Sequence, residues 1–205
     1  MSELPESRIF IVDDDLSVRR GISLVLNSAG YCVEAFRSIR DLLQADDFNI
    51  PGCILLDVFL GEESGLELQE AVRTKFKNIP IIFISGHGDI PMSVQALKKG
   101  AIDFLQKPVD DKILLRSVEE ALKYSHALLK SQMGKDKCMA LVNSLSPREL
   151  EILKLVITGK LNKQIASELN IAEHTVKLHR GRITQKLGVK SVPEMIYIAE
   201  RSGIE

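Results

Sequence analysis

The chain has 205 residues, of which 45% are hydrophobic and 27% are charged, and its net charge at pH 7 is −1. This composition is close to the globular average, which excludes a fibrous repeat and a wholly disordered chain. The longest apolar runs are far shorter than the roughly 20 residues that a membrane span needs, and residues 1–10 lack a basic, apolar leader. The three cysteines lack paired spacing, so neither disulfides nor zinc are expected. We therefore expect a cytoplasmic protein that does not associate with membranes.

The charge is unevenly distributed along the chain. Residues 1–120 contain 13 Lys and Arg against 20 Asp and Glu, a net charge of −7, whereas residues 121–205 contain 14 against 8, a net charge of +6. The near-neutral total of −1 therefore conceals an acidic part and a basic part. Because polyanions are the natural partners of a basic domain, this asymmetry indicates two domains with different partners.

Short apolar stretches alternate with amphipathic stretches through the first 120 residues. Strands are predicted at residues 8–12, 31–36, 53–58, 80–85 and 101–107, and helices at about 17–29, 38–45, 65–76, 91–99 and from 110 onward. Gly30 and Gly100 are placed as helix stops. Repeated strand–helix units need right-handed crossovers, so we expect an α/β doubly wound domain with a five-stranded parallel sheet of flavodoxin-like size.

The helix that starts near Asp110 is predicted to end in segment 131–137. This segment is polar and contains Gly134, which is typical of a linker. Beyond it we expect an all-α domain of four helices. A capping-box sequence begins at Ser146 and opens a helix to about residue 157, and further helices are expected at about 162–169, 173–187 and 192–201. The short turn at 170–172 is typical of a helix-turn-helix arrangement. The predicted domains are 1–122, a helical extension and linker at 123–142, and 143–205.

Polar side chains follow the predicted strands. Because the carboxyl ends of parallel strands meet at the edge of the sheet where doubly wound folds bind ligands, we expect these side chains to lie together. Crowded carboxylates without a nearby His or Cys favour a hard cation, so the predicted cofactor is Mg²⁺, with room left for a phosphate. Asp15 taken alone is expected to be a helix cap or a solvated side chain. The residues concerned are Asp13, Asp14 and Asp15 after the first strand, Asp57 after the third, Ser85 after the fourth and Lys107 after the fifth.

These residues carry a family resemblance. The sequences Val-Asp13-Asp-Asp, Leu-Leu-Asp57-Val, Phe-Ile-Ser85-Gly-His-Gly-Asp and Phe104-Leu-Gln-Lys107-Pro resemble the receiver domain of two-component response regulators. The resemblance implies that Asp57 accepts a phosphoryl group from a phosphohistidine of a sensor histidine kinase. It also implies that Asp14 binds Mg²⁺ directly, that Asp13 acts largely through water, and that Asp57 and the backbone carbonyl of Phe59 complete the protein ligands. Lys107 and Ser85 would contact the phosphate, and Phe104 would be the aromatic switch residue.

One stretch departs from the family pattern. Where the family often has Met-Pro-Gly, this chain has Leu60-Gly61-Glu62-Glu63. Glycine in place of proline is expected to loosen the loop, and the two acids are expected to change phosphorylation kinetics and metal affinity. Gly86-His87-Gly88 is interpreted as a turn rather than part of a dinucleotide loop, because it follows the fourth strand and lacks a third glycine.

The basic part carries a second resemblance. The sequences Leu145-Ser-Pro-Arg-Glu-Leu, Asn162-Lys-Gln-Ile-Ala, Glu173-His-Thr-Val-Lys-Leu-His and Lys186-Leu-Gly-Val are similar to the LuxR-type DNA-binding domain. Joined to a receiver, this domain makes the chain similar to the FixJ subgroup of response regulators. Position matching implies that Lys177 and Leu178 lie near base edges, and that Thr175, Arg180, Arg182 and Lys186 lie nearer the DNA backbone. Gly181 is unusual inside a helix and either permits close approach or leaves a base unread.

Together, the residues and the resemblances predict a phosphorylation-dependent, DNA-binding transcriptional regulator rather than an enzyme. Its expected partners are a sensor histidine kinase, double-stranded DNA, RNA polymerase and, once phosphorylated, a second copy of itself. Movement of Ser85 and a rotamer change of Phe104 are expected to link phosphorylation to dimerisation, although release of an inhibitory contact between domains is an equally workable route. The alternative function is a phosphorylation-responsive interaction module whose basic domain binds a protein instead of DNA.

Overall fold

The computed structural model describes residues 7–45, 50–61, 63–86 and 90–204, with only the backbone of Glu63. The chain divides into two compact units, residues 1–129 and 130–205. Its strands are β1 (Arg8–Val12), β2 (Cys32–Phe36), β3 (Gly52–Asp57), β4 (Phe59–Leu60), β5 (Glu63–Ser64), β6 (Ile81–Ser85) and β7 (Asp103–Gln106). Its helices are α1 (Leu16–Ser28), α2 (Ile39–Gln44), α3 (Gly65–Lys75), α4 (Ile90–Lys98), α5 (Asp111–Asn143), α6 (Pro147–Ile157), α7 (Asn162–Glu168), α8 (Glu173–Leu187) and α9 (Val192–Ser202).

The first unit is built around a five-stranded parallel sheet with the strand order β2-β1-β3-β6-β7. The predicted doubly wound fold is therefore confirmed. Alternate residues of β1 enter two different apolar clusters, Phe10 and Val12 on one face and Ile9 and Ile11 on the other, as expected for a strand covered on both sides. The central strands are thus fixed by burial, and their carboxyl ends are held in register.

The loop after Asp57 is ordered by a small hairpin that the sequence did not suggest. Strands β4 and β5 pair antiparallel, with Phe59 opposite Ser64 and Leu60 opposite Glu63. Gly61 has φ +64°, a left-handed conformation that glycine adopts without steric strain. Glycine at this position therefore allows a tight reversal of the backbone, and the expected loosening of the loop stays a prediction. Glu62 and the side chain of Glu63 lie outside the described part of the chain.

Helix α5 runs without a break through the segment that was predicted to interrupt it. It covers all 33 residues of Asp111–Asn143, so the predicted break at 131–137 is wrong. A single Gly134 costs a helix only about 1 kcal/mol, which the burial of Cys138 and Val142 in the apolar cluster of the second unit offsets. A hydrogen bond of 2.8 Å from Gln132 Nε2 to Asp136 Oδ1 adds local support across one turn.

The second unit contains the four helices predicted for it, α6 to α9. The expected capping box is present, because the Ser146 hydroxyl accepts a hydrogen bond from the Glu149 amide and the Glu149 carboxylate accepts one from the Ser146 amide. Helices α7 and α8 are joined by a short turn in which Asn170 has φ 51°. Their apolar faces meet in one cluster through Ile165, Val176 and Ile183. This is the geometry of a helix-turn-helix.

Throughout the described residues, each helix is either too short or too polar to cross a lipid bilayer.

Candidate functional site

Two buried carboxylates and one ammonium meet at the carboxyl edge of the sheet. Asp13 follows β1 and is 2% exposed, and Asp57 ends β3 and is 6% exposed. The Lys107 Nζ atom lies 2.6 Å from Asp13 Oδ2 and 2.6 Å from Asp57 Oδ2. The Lys107 amide also donates a hydrogen bond to the Ser85 carbonyl at 2.8 Å, which fixes the start of the loop after β7. Residues far apart in sequence thus form one charged cluster.

Asp14 completes a set of three carboxylates, while Asp15 has a different role. One carboxylate oxygen from each of Asp13, Asp14 and Asp57 lies within 4.8 Å of the others, and Asp14 is exposed. An all-oxygen donor set with an open side fits a hard divalent cation such as Mg²⁺. Asp15 instead caps α1, where its side chain accepts hydrogen bonds from the Ser17 amide at 2.7 Å and the Ser17 hydroxyl at 2.6 Å.

Burial and ion pairing act in opposite directions on the charges of this cluster. Burial raises the pKa of Asp13 above its ordinary value, although the hydrogen bond from Lys107 opposes that shift. Burial by itself would lower the pKa of Lys107, but its hydrogen bonds to Asp13 and Asp57 outweigh burial and raise it. Lys107 therefore stays a cation next to the site. The hydrogen bonds from Ser17 lower the pKa of Asp15, as expected for an ionised helix cap.

The backbone around Asp57 is held by its neighbours on the β4–β5 hairpin. The Phe59 amide donates to Asp57 Oδ1 at 3.2 Å, and the Gly65 amide donates to the Val58 carbonyl at 2.8 Å. A Cβ atom on Gly65 would lie 2.3 Å from the Asp57 carbonyl oxygen, which is far inside the contact distance. Only glycine therefore fits where α3 begins, and the hairpin aims one Asp57 oxygen toward Lys107.

Ser85 and Phe104 occupy neighbouring strands beside this cluster. Ser85 is fully buried at the end of β6, and Phe104 pairs with Phe83 across the β6–β7 ladder. Phe104 is partly buried and packs against the apolar cluster that contains Phe83. His87 and Gly88, for which a turn was predicted, lie outside the described residues.

In the second unit, α8 has one buried face and one exposed face. Val176, Ile183 and Leu187 are buried, whereas Lys177, Leu178 and Arg182 are exposed. Thr175 and Arg180 lie at the borders between these faces and are partly buried. Of the predicted DNA-facing residues, Lys177, Leu178 and Arg182 therefore lie on the side of α8 that the rest of the unit leaves uncovered, and Thr175 and Arg180 lie at its borders.

Two basic residues of α8 have partners inside the second unit. Lys186 Nζ lies 2.7 Å from Glu149 Oε2, and it also donates to the Ser144 carbonyl at 3.1 Å. Arg180 Nη1 donates to Asn162 Oδ1 at 2.9 Å, which leaves its other N–H groups for further contacts. Lys186 thus ties α8 to the start of α6, and Arg180 ties α8 to the start of α7.

Comparison with known proteins assigns a family to each unit. Residues 9–119 match the response regulator receiver domain, and residues 143–199 match the luxR family of bacterial regulatory proteins. The chain belongs to the response regulators. Transcriptional regulatory protein TdiR of Thauera aromatica is 44% identical over 195 residues, which cover 95% of this chain and 86% of that protein. Nodulation protein W of Bradyrhizobium diazoefficiens is 43% identical over 196 residues, with coverages of 96% and 86%.

A solved structure agrees with the same assignment. The structure of response regulator StyR aligns with a TM-score of 0.84 and 43% identity, covering 96% of this chain and 100% of that one. This response regulator therefore combines a receiver with a LuxR-type DNA-binding domain, and it is a phosphorylation-dependent DNA-binding transcriptional regulator. The predicted family and function are confirmed.

Sequence reasoning overlooked several supporting residues of the response regulator. Arg19 Nη1 donates to the Asp13 carbonyl at 2.5 Å, and Gly65 allows the close approach to Asp57. In the second unit, Asn162 holds Arg180, and Glu149 holds Lys186 in addition to its expected role in the capping box. Of these roles, that of Gly65 was the most predictable, because a glycine at the start of a helix next to a strand-end carboxylate indicates close backbone approach.

Proposed function

We propose that Asp57 is the phosphoacceptor of this response regulator. One Asp57 carboxylate oxygen attacks the phosphorus of a phosphohistidine, so that a P–O bond forms while the P–N bond breaks and the imidazole keeps the electron pair. The observation that carries this proposal is the shared position of Lys107, 2.6 Å from both Asp13 and Asp57. Its ammonium would bind a phosphoryl oxygen, and the Ser85 hydroxyl, which is buried in this structure, would donate to another.

The same carboxylates form the proposed magnesium site. Asp14 would bind the ion directly, Asp13 largely through water, and Asp57 and the Phe59 carbonyl would supply the remaining protein oxygens. When bound, Mg²⁺ supplies positive charge that stabilises the transferring phosphoryl group. Asp13 would also position Lys107 without a metal, because its carboxylate accepts a hydrogen bond from the Lys107 ammonium.

Intact-mass measurement after incubation with a small phosphodonor tests this assignment. Wild-type protein is expected to gain one phosphoryl group, and chelation of Mg²⁺ is expected to suppress the gain. Asp57→Asn removes the nucleophile while preserving side-chain shape, so it should abolish labelling. Asp15→Asn is the matched control, because asparagine also caps helices and labelling should persist. Equal labelling of Asp57→Asn and wild type would refute the proposal.

A groove beside Lys107 supports the expectation of a kinase partner. It has a volume of about 530 Å³ and lies between the start of α5 and the apolar face of α1. A partner that delivers a phosphohistidine to Asp57 must dock near this edge of the sheet, and an amphipathic helix is the element that fits such a groove. The residues that line it include Val18, Ile22, Val25, Pro108, Val109 and Leu114.

For the second unit, we propose that the exposed face of α8 enters the major groove of DNA. Lys177 and Leu178 would contact base edges, and Thr175, Arg180 and Arg182 would contact phosphates. Lys186 would contribute by fixing α8 against α6, because its ammonium is engaged by Glu149. The corresponding division of the chain is a receiver at 1–122, a helical extension and linker at 123–142, and a DNA-binding domain at 143–205. Binding to a chromosome would place the regulator in the bacterial cytoplasm.

Paired substitutions on α8 test this placement. Arg182→Ala should weaken binding to all duplexes alike, since a lost phosphate contact carries no sequence information. Lys177→Ala should cost about 1–3 kcal/mol on the preferred sequence and reduce discrimination against other sequences. Both effects can be measured by fluorescence anisotropy on specific and random duplexes at fixed salt. Unchanged affinities for both variants would reject the placement of α8.

The exposed side of α4 supports a proposal of dimerisation upon phosphorylation. Ile90, Val94 and Leu97 recur at intervals of four and three residues, and they are 78%, 42% and 46% exposed. Such an apolar stripe on one helix face is suited to an identical stripe on a second copy. We propose that Ser85 engages the phosphoryl group, that Phe104 changes rotamer in response, and that α4 then pairs. RNA polymerase remains a proposed partner on the basis of the transcriptional role.

A further inference from the structure

The exposed face of α8 contains a short apolar stretch between the exposed side chains of His174 and Gln185, which lie one turn before it and one turn after it. Leu178 is 47% exposed although it is a large apolar residue, and Gly181 follows it one turn later. Residues three apart in a helix are surface neighbours, so Leu178 and Gly181 form a shallow apolar notch. Lys177 and Arg182, both exposed, lie on its two sides.

The interior of the second unit does not require glycine at position 181. A Cβ atom there would meet nothing within 4 Å, and its φ is not in the left-handed region. Glycine nevertheless costs a helix interior about 0.5–1 kcal/mol relative to alanine. Neither packing nor backbone conformation therefore requires Gly181, which leaves the approach of a partner to this face as a role that glycine would serve.

We propose that the notch formed by Leu178 and Gly181 binds the C5-methyl group of a thymine in the major groove. This inference rests on the proposed placement of α8 and deepens it. The notch offers no side-chain donor or acceptor, so it cannot pair with the polar edges of guanine, adenine or cytosine. The thymine methyl is the apolar group that a base pair presents in the major groove. Without a Cβ at position 181, the helix backbone can approach that methyl closely.

The test begins with full-length protein and a small phosphodonor, used to select preferred duplexes from a random pool. Each thymidine of the selected duplex is then replaced singly by deoxyuridine, which removes only the methyl group. At one position in each half-site, the replacement should weaken wild-type binding about fourfold, which corresponds to about 0.8 kcal/mol. Replacement with 5-methylcytosine, paired with guanine, retains the methyl and separates its contribution from that of the base pair.

Variants then locate the methyl contact on the protein. Leu178→Ala removes the apolar wall, and Gly181→Ala places a methyl group where that of thymine would lie. Both are expected to abolish the preference for thymidine over deoxyuridine at that position. Gly181→Ala should also raise the free energy of unfolding, so that weaker binding cannot be attributed to misfolding. Thr184→Ala is the control, since it improves helix propensity beside the notch and should preserve the preference.

Three results would overturn the inference. The first is wild-type affinity that no single deoxyuridine substitution weakens. The second is a preference for thymidine over deoxyuridine that survives in both Leu178→Ala and Gly181→Ala. The third is a DNA affinity of both Lys177→Ala and Arg182→Ala that equals that of wild type, which would also reject the placement of α8 itself. Loss of affinity in Lys177→Ala and Arg182→Ala, together with a methyl preference that persists in both Leu178→Ala and Gly181→Ala, would leave the placement of α8 intact and reject only the notch.

Discussion

At the scale of single residues, Gly65 shows how closely the proposed phosphorylation site depends on the backbone beside it. The hydrogen bond from its amide to the Val58 carbonyl brings the start of α3 against the Asp57 main chain. At 2.3 Å, an added Cβ would overlap the Asp57 carbonyl oxygen, which is a backbone atom that cannot rotate away. The orientation of the Asp57 carboxylate therefore depends on a residue that has no side chain.

Gly65→Ala is expected to lower the free energy of unfolding by about 1–3 kcal/mol and to slow phosphorylation, because α3 and Asp57 must move apart. Urea denaturation and intact-mass time courses would measure the two effects. Gly21→Ala is the matched control, since a Cβ at that position in α1 meets nothing within 4 Å. This control should be neutral or stabilising by about 0.5–1 kcal/mol. Equal behaviour of the two variants would contradict the proposed close approach.

The sequence was sufficient to predict which residues lie together at the edge of the sheet, but it did not reveal how Asp15 differs from its neighbours Asp13 and Asp14. Asp13, Asp14 and Asp57 were predicted together because strand ends converge at one edge of a parallel sheet. The capping role of Asp15 was one of two expected outcomes, and the structure selects it. The ion pair between Glu149 and Lys186 could not be predicted, because it joins helices whose mutual orientation depends on tertiary packing.

At the scale of elements, α5 illustrates why local sequence signals can mislead. Polar residues and a glycine at 131–137 predicted a break, yet α5 continues to Asn143. Residues beyond the expected break, including Cys138 and Val142, are buried in the second unit, and this burial stabilises the helical conformation of the whole segment. Helix propensity is a weak local preference that tertiary contacts override, whereas the capping box at Ser146 is a specific pair of hydrogen bonds and was predicted correctly.

The contact between α6 and α8 makes the second unit sensitive to acid. Hydrogen bonds from the Lys186 ammonium and then from the Ser146 amide lower the pKa of Glu149 from 4.5 to about 2. Because the folded-state pKa lies below that of the unfolded chain, ionised Glu149 contributes stability that is fully present above about pH 4.5. That contribution falls as the pH decreases toward about 2.

Glu149→Gln is therefore expected to reduce the stability of the second unit by about 1–2 kcal/mol near neutral pH, and by progressively less below about pH 4.5. Hydrogen exchange of peptides from α6 and α8 in the full-length protein would measure the difference. Glu151→Gln removes an exposed ion pair with Arg148 on the same helix and should have little effect at any pH. A pH-independent difference between wild type and Glu149→Gln would show that the carboxylate charge is unimportant.

At the scale of the whole molecule, phosphorylation in one domain must change DNA binding by another. A shift from 1% to 99% of the active state requires about 5.5 kcal/mol of differential binding. A doubly charged phosphoryl group next to Lys107 and the proposed Mg²⁺ would be a suitable source. Pairing of two α4 stripes would then bring two DNA-binding domains to a two-fold operator and increase their effective concentration.

Val94→Asp is expected to prevent this pairing without blocking phosphorylation, because it places a charge in the centre of the apolar stripe. Light scattering should show wild type changing from monomer to dimer with a small phosphodonor, while Val94→Asp gains the phosphoryl mass and stays monomeric. Leu24→Asp on α1, where the leucine is 69% exposed, is the control and should still dimerise. If phosphorylated wild type remains monomeric yet binds DNA more tightly, relief of an inhibition between domains would replace dimerisation as the explanation.

The ion pair that occupies Lys186 also affects how binding responds to ionic strength. Each Lys or Arg that neutralises a DNA phosphate displaces condensed counterions and adds about −0.9 to the slope of log affinity against log salt concentration. Because Glu149 already neutralises Lys186, we expect this lysine to release no counterion if α8 binds DNA as proposed. For a dimer, the slope is then shallower by about 1.8 than a count of the basic residues on α8 suggests. The affinity of the regulator for its operator is therefore expected to fall less steeply with increasing salt than its charge alone would suggest.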